Sequence, residues 1–356
     1  MTLLDRIRDE IAGTGPMPFE RFMAMALYDA EDGFFGSGPL RSVKAGDFLT
    51  SPEVSPWFGR SLARYVDAVA EAVVDPISIV EAGAGSGTLL RPLLEELQAD
   101  SARIVAVEAS PAARAALSEL EVDVVRDLAE IAAPLAGVII ANELLDNLPM
   151  RLAVRASGGW EERWVGASAE GLDLVAAPAR DETQEWLEAY SGPVPDGGMV
   201  EVQLEAKRWL QQAMSLVETG SVVVIDYGAT AEELAPRRAI GTLRTYRNHH
   251  LGPDPLLEPG ATDITADVNF TALMNVATEA GATATLHRQD DFLTAHGLRD
   301  VMAELRAKEL ELARGSDAMA RLQVRSELKD AETLLHPRGL GDFRVLEVKI
   351  GVRSEE

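Results

Sequence analysis

The segment Ile79-Val80-Glu81-Ala82-Gly83-Ala84-Gly85-Ser86-Gly87-Thr88-Leu89-Leu90 constrains the fold of this chain more than any other. Its apolar start reads as a buried strand, its three alternating glycines as a tight turn, and its end as the opening of a helix. Glycine at those positions lets the backbone turn and come close to a ligand that a side chain would block. Strand, glycine turn and helix in this order point to a nucleotide-type cofactor. The dinucleotide fingerprint is spaced G-x-G-x-x-G and seats phosphates at the helix N-terminus. Here the spacing is E-x-G-x-G-x-G, with Glu81 closing the strand. A glycine-rich turn without a ligand would look the same, so the following strands carry the decision.

Four more apolar runs follow, each finishing in polar residues. Arg103-Ile104-Val105-Ala106-Val107 ends at Glu108, at the distance where a nucleoside-binding fold places the acid that accepts the ribose hydroxyls. Val122 to Val125 ends at Arg126-Asp127-Leu128, which puts Asp127 and Leu128 at the same edge for contact with a base. Gly137 to Ala141 runs into Asn142-Glu143-Leu144-Leu145-Asp146-Asn147-Leu148-Pro149, and Val222 to Ile225 runs into Asp226-Tyr227-Gly228. Five such strands fit an open parallel α/β sheet with its ligand crevice at one edge.

Composition narrows the chemistry. The 356 residues suffice for a large buried core, and no apolar run approaches the roughly 18 residues a membrane span needs. The start, Met1 to Glu10, reads as a capped amphipathic helix rather than a signal peptide, and cytoplasmic residence is the expectation drawn from it. There is no cysteine, so disulfides, thiolate metal sites, cysteine nucleophiles and cysteine-ligated clusters are all excluded. Five scattered histidines make no ligand pattern, and no metal is expected. With 33 basic against 58 acidic residues, a net charge of −25 argues against a nucleic-acid substrate. An acidic surface suits a basic partner, and equally serves solubility.

Beyond the glycine loop, several blocks are distinctive. They are Gly15-Pro16-Met17-Pro18-Phe19, Gly46-Asp47-Phe48-Leu49-Thr50-Ser51-Pro52-Glu53, the Asn142 to Pro149 run, Ile225-Asp226-Tyr227-Gly228, Gly241 to Arg247, and Asp263-Ile264-Thr265-Ala266-Asp267-Val268-Asn269-Phe270. On these blocks the chain resembles the MidA/NDUFAF7-like S-adenosylmethionine-dependent methyltransferases over nearly its full length. It departs from them at Ala84, where the family has proline, and at Leu144 and Leu145, where it has two phenylalanines. The latter change is expected to alter the floor of the acceptor pocket.

The resemblance implies a class I methyltransferase fold: a Rossmann-like sheet, mostly parallel with an antiparallel last strand, plus helical and β insertions. It implies S-adenosyl-L-methionine as cofactor, held by Glu81, Gly83, Gly85, Gly87, Thr88, Glu108, Asp127, Leu128 and Asn142, with Asp47, Thr50 and Ser51 from the second block. The implied activity is methylation of a protein arginine, since the family's mitochondrial member acts on a subunit of respiratory complex I during assembly. A guanidinium acceptor suits paired carboxylates, which bind it in fork geometry and aim one nitrogen at the methyl group. Glu143 and Asp146, with Asn142, are the candidates, and Glu53 is a further one. Asp146 is equally readable as a helix cap, and Asp47 as a loop brace. Tyr246 and Arg247 read either as the substrate mouth or as loop packing.

The partners expected are an arginine-bearing protein segment and a second copy of the chain, with no nucleic acid and no membrane insertion. A small-molecule methyltransferase and a non-catalytic cofactor-binding assembly factor are the alternatives. A nicotinamide oxidoreductase fits least.

Residues 1–45 read as an N-terminal helical segment and 46–356 as the core. Insertions are expected at about 151–220, with short antiparallel strands, and at about 290–335, mainly helical. Arg244 to Asp263 reads as a polar loop.

Overall fold

The computed structural model describes residues 1–37, 50–73, 76–99, 102–247 and 250–351. Its centre is a seven-stranded sheet: β1 (Ser78–Ala82), β2 (Arg103–Val107), β3 (Asp123–Val125), β4 (Leu135–Asn142), β5 (Val217–Asp226), β6 (Thr283–Arg288) and β7 (Arg344–Ile350). They lie in the order β3-β2-β1-β4-β5-β7-β6. The first five are mutually parallel, and β7 runs antiparallel to both β5 and β6. Strand order reverses between β1 and β4, and an open sheet of this kind leaves its ligand crevice at the carboxyl ends beside that reversal.

These strands read as nearly continuous apolar runs because both faces are covered. On one face Val80, Val105, Ile139, Val222 and Val224 pack against Leu210 of helix Leu204–Leu216 and Leu273 and Val276 of helix Phe270–Glu279. On the other, Ile79, Val138, Ile140, Val223 and Ile225 meet Phe58, Leu62 and Val66 of helix Trp57–Ala70, together with Phe292 and Leu293 of helix Gln289–Ala295. Adjacent residues of one strand therefore serve opposite layers.

A second, antiparallel sheet lies between β4 and β5 in sequence. Arg151–Ala156 pairs with Gly159–Ala167 and with Met199–Val202, and Leu172–Pro178 extends it. The N-terminal residues join this sheet, because Met17–Pro18 pairs with Gly159–Ala167. Helices Leu3–Thr14 and Phe19–Tyr28 bury Ile7, Phe22 and Met23 against its Leu152 and Val165. The first helix starts on a capping box in which Thr2 and Asp5 each accept the other's backbone N–H, at 3.2 and 2.9 Å. Helices Leu298–Leu312 and Ala318–Leu334 form a hairpin between β6 and β7.

The segment expected as a loop after β5 contains strands. Arg244–Arg247 pairs antiparallel with Asp263–Thr265 and with His250–Leu251, and Gly228–Ala229 pairs with Val268–Asn269. The polar residues that suggested a loop are satisfied here by a small sheet that hangs over the crevice edge. No helix among the described residues is long and apolar enough to cross a membrane.

Candidate active site

Three glycines adopt left-handed backbone angles in the turn after β1: Gly83 at φ +74°, Gly85 at +53° and Gly87 at +80°. The turn is tied to β2, since the N–H groups of Gly83 and Ala84 donate to the Val107 carbonyl at 2.9 and 3.2 Å. Glu108, one residue past β2, accepts from Gly85 N–H at 2.8 Å and from Ser110 N–H at 2.7 Å. Its two oxygens keep further lone pairs for another donor.

These residues border a cleft of about 590 Å³. Glu81, Gly83, Gly85, Thr88, Glu108, Asp127, Leu128, Asn142 and Thr50 all line it. Asp127 is exposed and accepts from Ala129 N–H at 2.8 Å, starting the short helical turn Leu128–Glu130. Glu81 is only 4 % exposed, one of its carboxylate oxygens has no hydrogen-bond partner, and burial beside Glu108 holds its carboxyl well above the usual range. Asn142 has a buried carbonyl oxygen without a partner as well. Two acceptors without donors on one cleft wall suit a ligand that brings its own N–H or O–H groups.

Two of the expected cleft residues do other work. Gly87 does not line the cleft: a Cβ there would meet Leu120 at 2.8 Å and Leu117 at 3.2 Å, so the glycine permits close helix packing behind the turn. Ser51 is fully buried outside the cleft, donating its N–H to Glu143 at 3.3 Å and meeting the Gln289 side chain. Asp47 lies outside the described residues.

A second chamber, of about 340 Å³, adjoins the first, and both are lined by Glu143 and Asn147. Glu143 has φ +50°, the one non-glycine with positive φ among the described residues. Such a conformation is disfavoured for a side chain and persists where surrounding bonds impose it. Here the imposing bonds are the Glu143 N–H to the Ile225 carbonyl at 2.8 Å, with Ser51 N–H and the Asn142 amide donating to its carboxylate, each at 3.3 Å. Burial, and then Asp146 and Glu53 nearby, push the Glu143 carboxyl up to about 8.

Asp146 stands on the floor of this chamber, 3 % exposed. It caps no helix. One carboxylate oxygen accepts from the hydroxyls of Tyr227 and Thr265, the latter at 2.6 Å, and the other has no partner. Burial raises its carboxyl above the ordinary value against the pull of those hydroxyls. Tyr246 lines the same chamber, whereas Arg247 pairs with Glu258 on the loop.

Glu53 requires a correction, for it lines neither cavity. Its carboxylate accepts Thr50 N–H at 3.1 Å in a capping box that starts the one-turn helix Ser51–Val54, so it braces the loop that holds Glu143. Leu144 and Leu145, expected in the floor of an acceptor pocket, do not line this second chamber. Leu144 lies under Gly83 on the cleft wall, and Leu145 is fully buried in the sheet core.

The residues that sequence reasoning did not assign are the ones that fix this geometry. Asp226, at the end of β5 and fully buried, accepts the N–H groups of Leu145, Asp146 and Tyr227 at 3.0, 3.2 and 2.9 Å. It thereby pins the Asn142 to Asn147 turn from the neighbouring strand. Burial, Asp146 and Glu143 together hold its carboxyl well above the usual range. Tyr227 and Thr265 belong to two of the distinctive blocks, but their meeting at Asp146 needs the small sheet to form. Tyr28 and Phe35 reach the cleft from the N-terminal segment, with Trp209 from helix Leu204–Leu216, and nothing in local spacing signals that approach.

Comparison with known proteins agrees with the geometry. Residues 58–288 match the model of a family described as S-adenosyl-L-methionine-dependent methyltransferases. Curated relatives include the mitochondrial protein arginine methyltransferase NDUFAF7 of Mus musculus, 26 % identical over 96 % of this chain and 82 % of the relative, and that of Homo sapiens, 25 % identical over 96 % and 81 %. A homologue in Drosophila melanogaster is 26 % identical over 79 % of this chain and 71 % of its own length. Among solved structures, a protein from Burkholderia thailandensis bound to S-adenosyl-homocysteine superposes with a TM-score of 0.86 at 28 % identity, covering 99 % of this chain and 92 % of the other.

The expectation of cytoplasmic residence is overturned by these relatives, whose names point to mitochondria instead. The capped amphipathic helix at Met1 to Glu10, from which the expectation was drawn, describes how that segment folds and not which compartment receives the chain. Fold, crevice and family model together establish that this chain belongs to the S-adenosyl-L-methionine-dependent methyltransferases.

Proposed function

We propose that the chain methylates an arginine of a protein, with S-adenosyl-L-methionine in the larger cleft and the guanidinium in the smaller chamber. The observation that carries this reading is the shared wall: Glu143 borders both cavities, and Asp146 offers a buried, unpartnered carboxylate oxygen in the second. No salt bridge joins either carboxylate to a lysine or arginine among the described residues. An acceptor that brings its own planar cation with five N–H donors would satisfy both. The names of the curated relatives support the same acceptor.

The cofactor residues fit the group. The unpartnered oxygens of Glu81 and Asn142 suit an ammonium donor at one end, and Glu108 suits a ribose diol. When bound, S-adenosyl-L-methionine supplies an electrophilic methyl group on a sulfonium. The residues of this chain supply position, since displacement needs the acceptor nitrogen in line and about 3 Å from the carbon. Glu143 and Asp146 hold the guanidinium from two sides and stabilise it while a proton leaves the methylated nitrogen. Glu143, with its carboxyl near 8 before the cation arrives, is the acceptor for that proton.

The test is transfer of a tritiated methyl group from the cofactor to lysate of a strain lacking the enzyme, followed by mass spectrometry of the labelled band. A methylated arginine in a protein is the expected product. Label confined to small molecules would overturn the acceptor class.

A further inference from the structure

We infer that the acceptor chamber selects arginines lying close to an acidic residue, which it reads with a collar formed by Arg237, Arg244 and Arg338. This rests on the proposed arginine acceptor and specifies the segment that carries it.

The chamber is bipolar. Its floor holds Glu143 and Asp146, neither of which meets a basic side chain among the described residues. Its mouth has the opposite sign. Arg237 and Arg244 have half-exposed side chains, at 50 % and 39 %, and both pair with Asp267, which is 4 % exposed. Two cations on one buried anion leave a net positive charge facing solvent. Arg338 is exposed, lines the same chamber, and makes no ion pair among the described residues. Of the remaining acids that line the chamber, Asp342 is taken up by Arg288 and Arg344, and Asp263, buried, accepts from the Asn147 amide at 2.8 Å.

A positive collar runs against the rest of the molecule, whose net charge is −25. The acids around this opening are neutralised by arginines: Asp267 pairs with Arg237 and Arg244, and Asp342 with Arg288 and Arg344. The long-range field draws in a cationic segment, while the collar repels a second cation beside the target and attracts an anion there. The separation of floor and collar fits one arginine side chain. Tyr227 touches Asp146 with its hydroxyl, and the Arg244 guanidinium lies 5.7 Å from the centroid of the same ring. The two charges are therefore one aromatic side chain apart. A guanidinium on the floor brings its own backbone to the collar, where residues within about two positions pass, at 3.3 to 3.6 Å per residue.

The experiment uses peptides with a single arginine in a glycine-alanine background and glutamate, glutamine or lysine two residues away. KM is measured by tritiated methyl transfer, and affinity for the same peptides is measured with S-adenosyl-homocysteine present. The glutamate peptide should show a KM about threefold to tenfold below the glutamine peptide, and the lysine peptide a higher one, the size expected of partly exposed charge pairs. Arg338→Glu should invert the glutamate and lysine ranking, and Arg338→Gln should narrow it. Equal values for the three peptides, or an unchanged ranking in Arg338→Glu, would overturn the inference. If no peptide is methylated, the arginine reading fails by itself, and the collar is judged on affinity alone, where no preference for the glutamate peptide overturns it.

Discussion

Replacing Glu143 with glutamine separates what this side chain does for stability from what it does for transfer. Glutamine keeps the carbonyl oxygen that accepts from Ser51 and Asn142, so it mimics the protonated acid in shape and bonding. The wild-type carboxyl ionises near 8 in the folded chain, against 4.5 for an ordinary glutamate. Because the folded value is raised, the stability tied to protonated Glu143 is fully present below pH 4.5 and is lost as pH rises through 8. At pH 7 the full shift would cost the wild type about 3 kcal/mol, at 1.36 kcal/mol for each pH unit above 4.5. Contact with cleft water screens this, and about 1 to 2 kcal/mol is the expected gap.

Urea unfolding of both proteins at pH 5 and pH 8 measures it. The variant should match the wild type at pH 5 and exceed it at pH 8. Methyl transfer should behave oppositely, falling by about a hundredfold or more at pH 8, the usual loss when one preorganised charge is removed from a transition state. A bound guanidinium about 4 Å away is worth about 4 kcal/mol at an effective dielectric of 20, enough to return Glu143 to its anion. The wild-type kcat/KM should therefore rise with pH toward a midpoint near 8, and kcat should titrate lower. A stability gap that is the same at both pH values would refute the burial argument, and wild-type turnover in Glu143→Gln would refute the role in transfer.

Gly85→Val should abolish cofactor binding in calorimetry, because the side chain would enter the cleft, and should lower the melting temperature as well, because valine is strained at φ +53°. Glu108→Ala should weaken cofactor binding by about 1 to 3 kcal/mol in the same measurement. Tyr227→Phe removes one of two hydroxyls on Asp146 and should lower kcat several-fold while leaving cofactor affinity intact. Asp226→Ala leaves three backbone N–H groups without their acceptor, so unfolding free energy should drop by about 2 to 4 kcal/mol in urea titrations.

The local signals in this chain were strong where one strand or one turn determines the outcome. Apolar runs covered on both faces announce themselves as parallel strands, and alternating glycines with positive φ announce the turn after β1. Those features place Glu81, Glu108 and Asn142 at one edge, since side chains that follow parallel strands emerge on the same side of a sheet. Local spacing also put Asp127 and the Asn142 to Asn147 turn there. It could not distinguish Gly87, which makes room for Leu117 and Leu120, from Gly83, which borders the larger cleft, because both are glycines of one turn and differ only in what stands opposite.

The second chamber was beyond the reach of spacing altogether. Its floor joins Asp146 to Tyr227 and Thr265, 81 and 119 residues away, through strand pairings that exist only once the small sheet closes. Glu53 and Glu143 are both acids in distinctive blocks. Both accept a backbone N–H, but tertiary structure put Glu53 away from both cavities and Glu143 on the wall between them. Residue type determined that carboxylates would gather at the sheet edge. Which of them borders a cavity was decided by where the packing of distant segments left space, since Glu53, Glu108 and Glu143 all accept backbone N–H groups and only the last two line an opening.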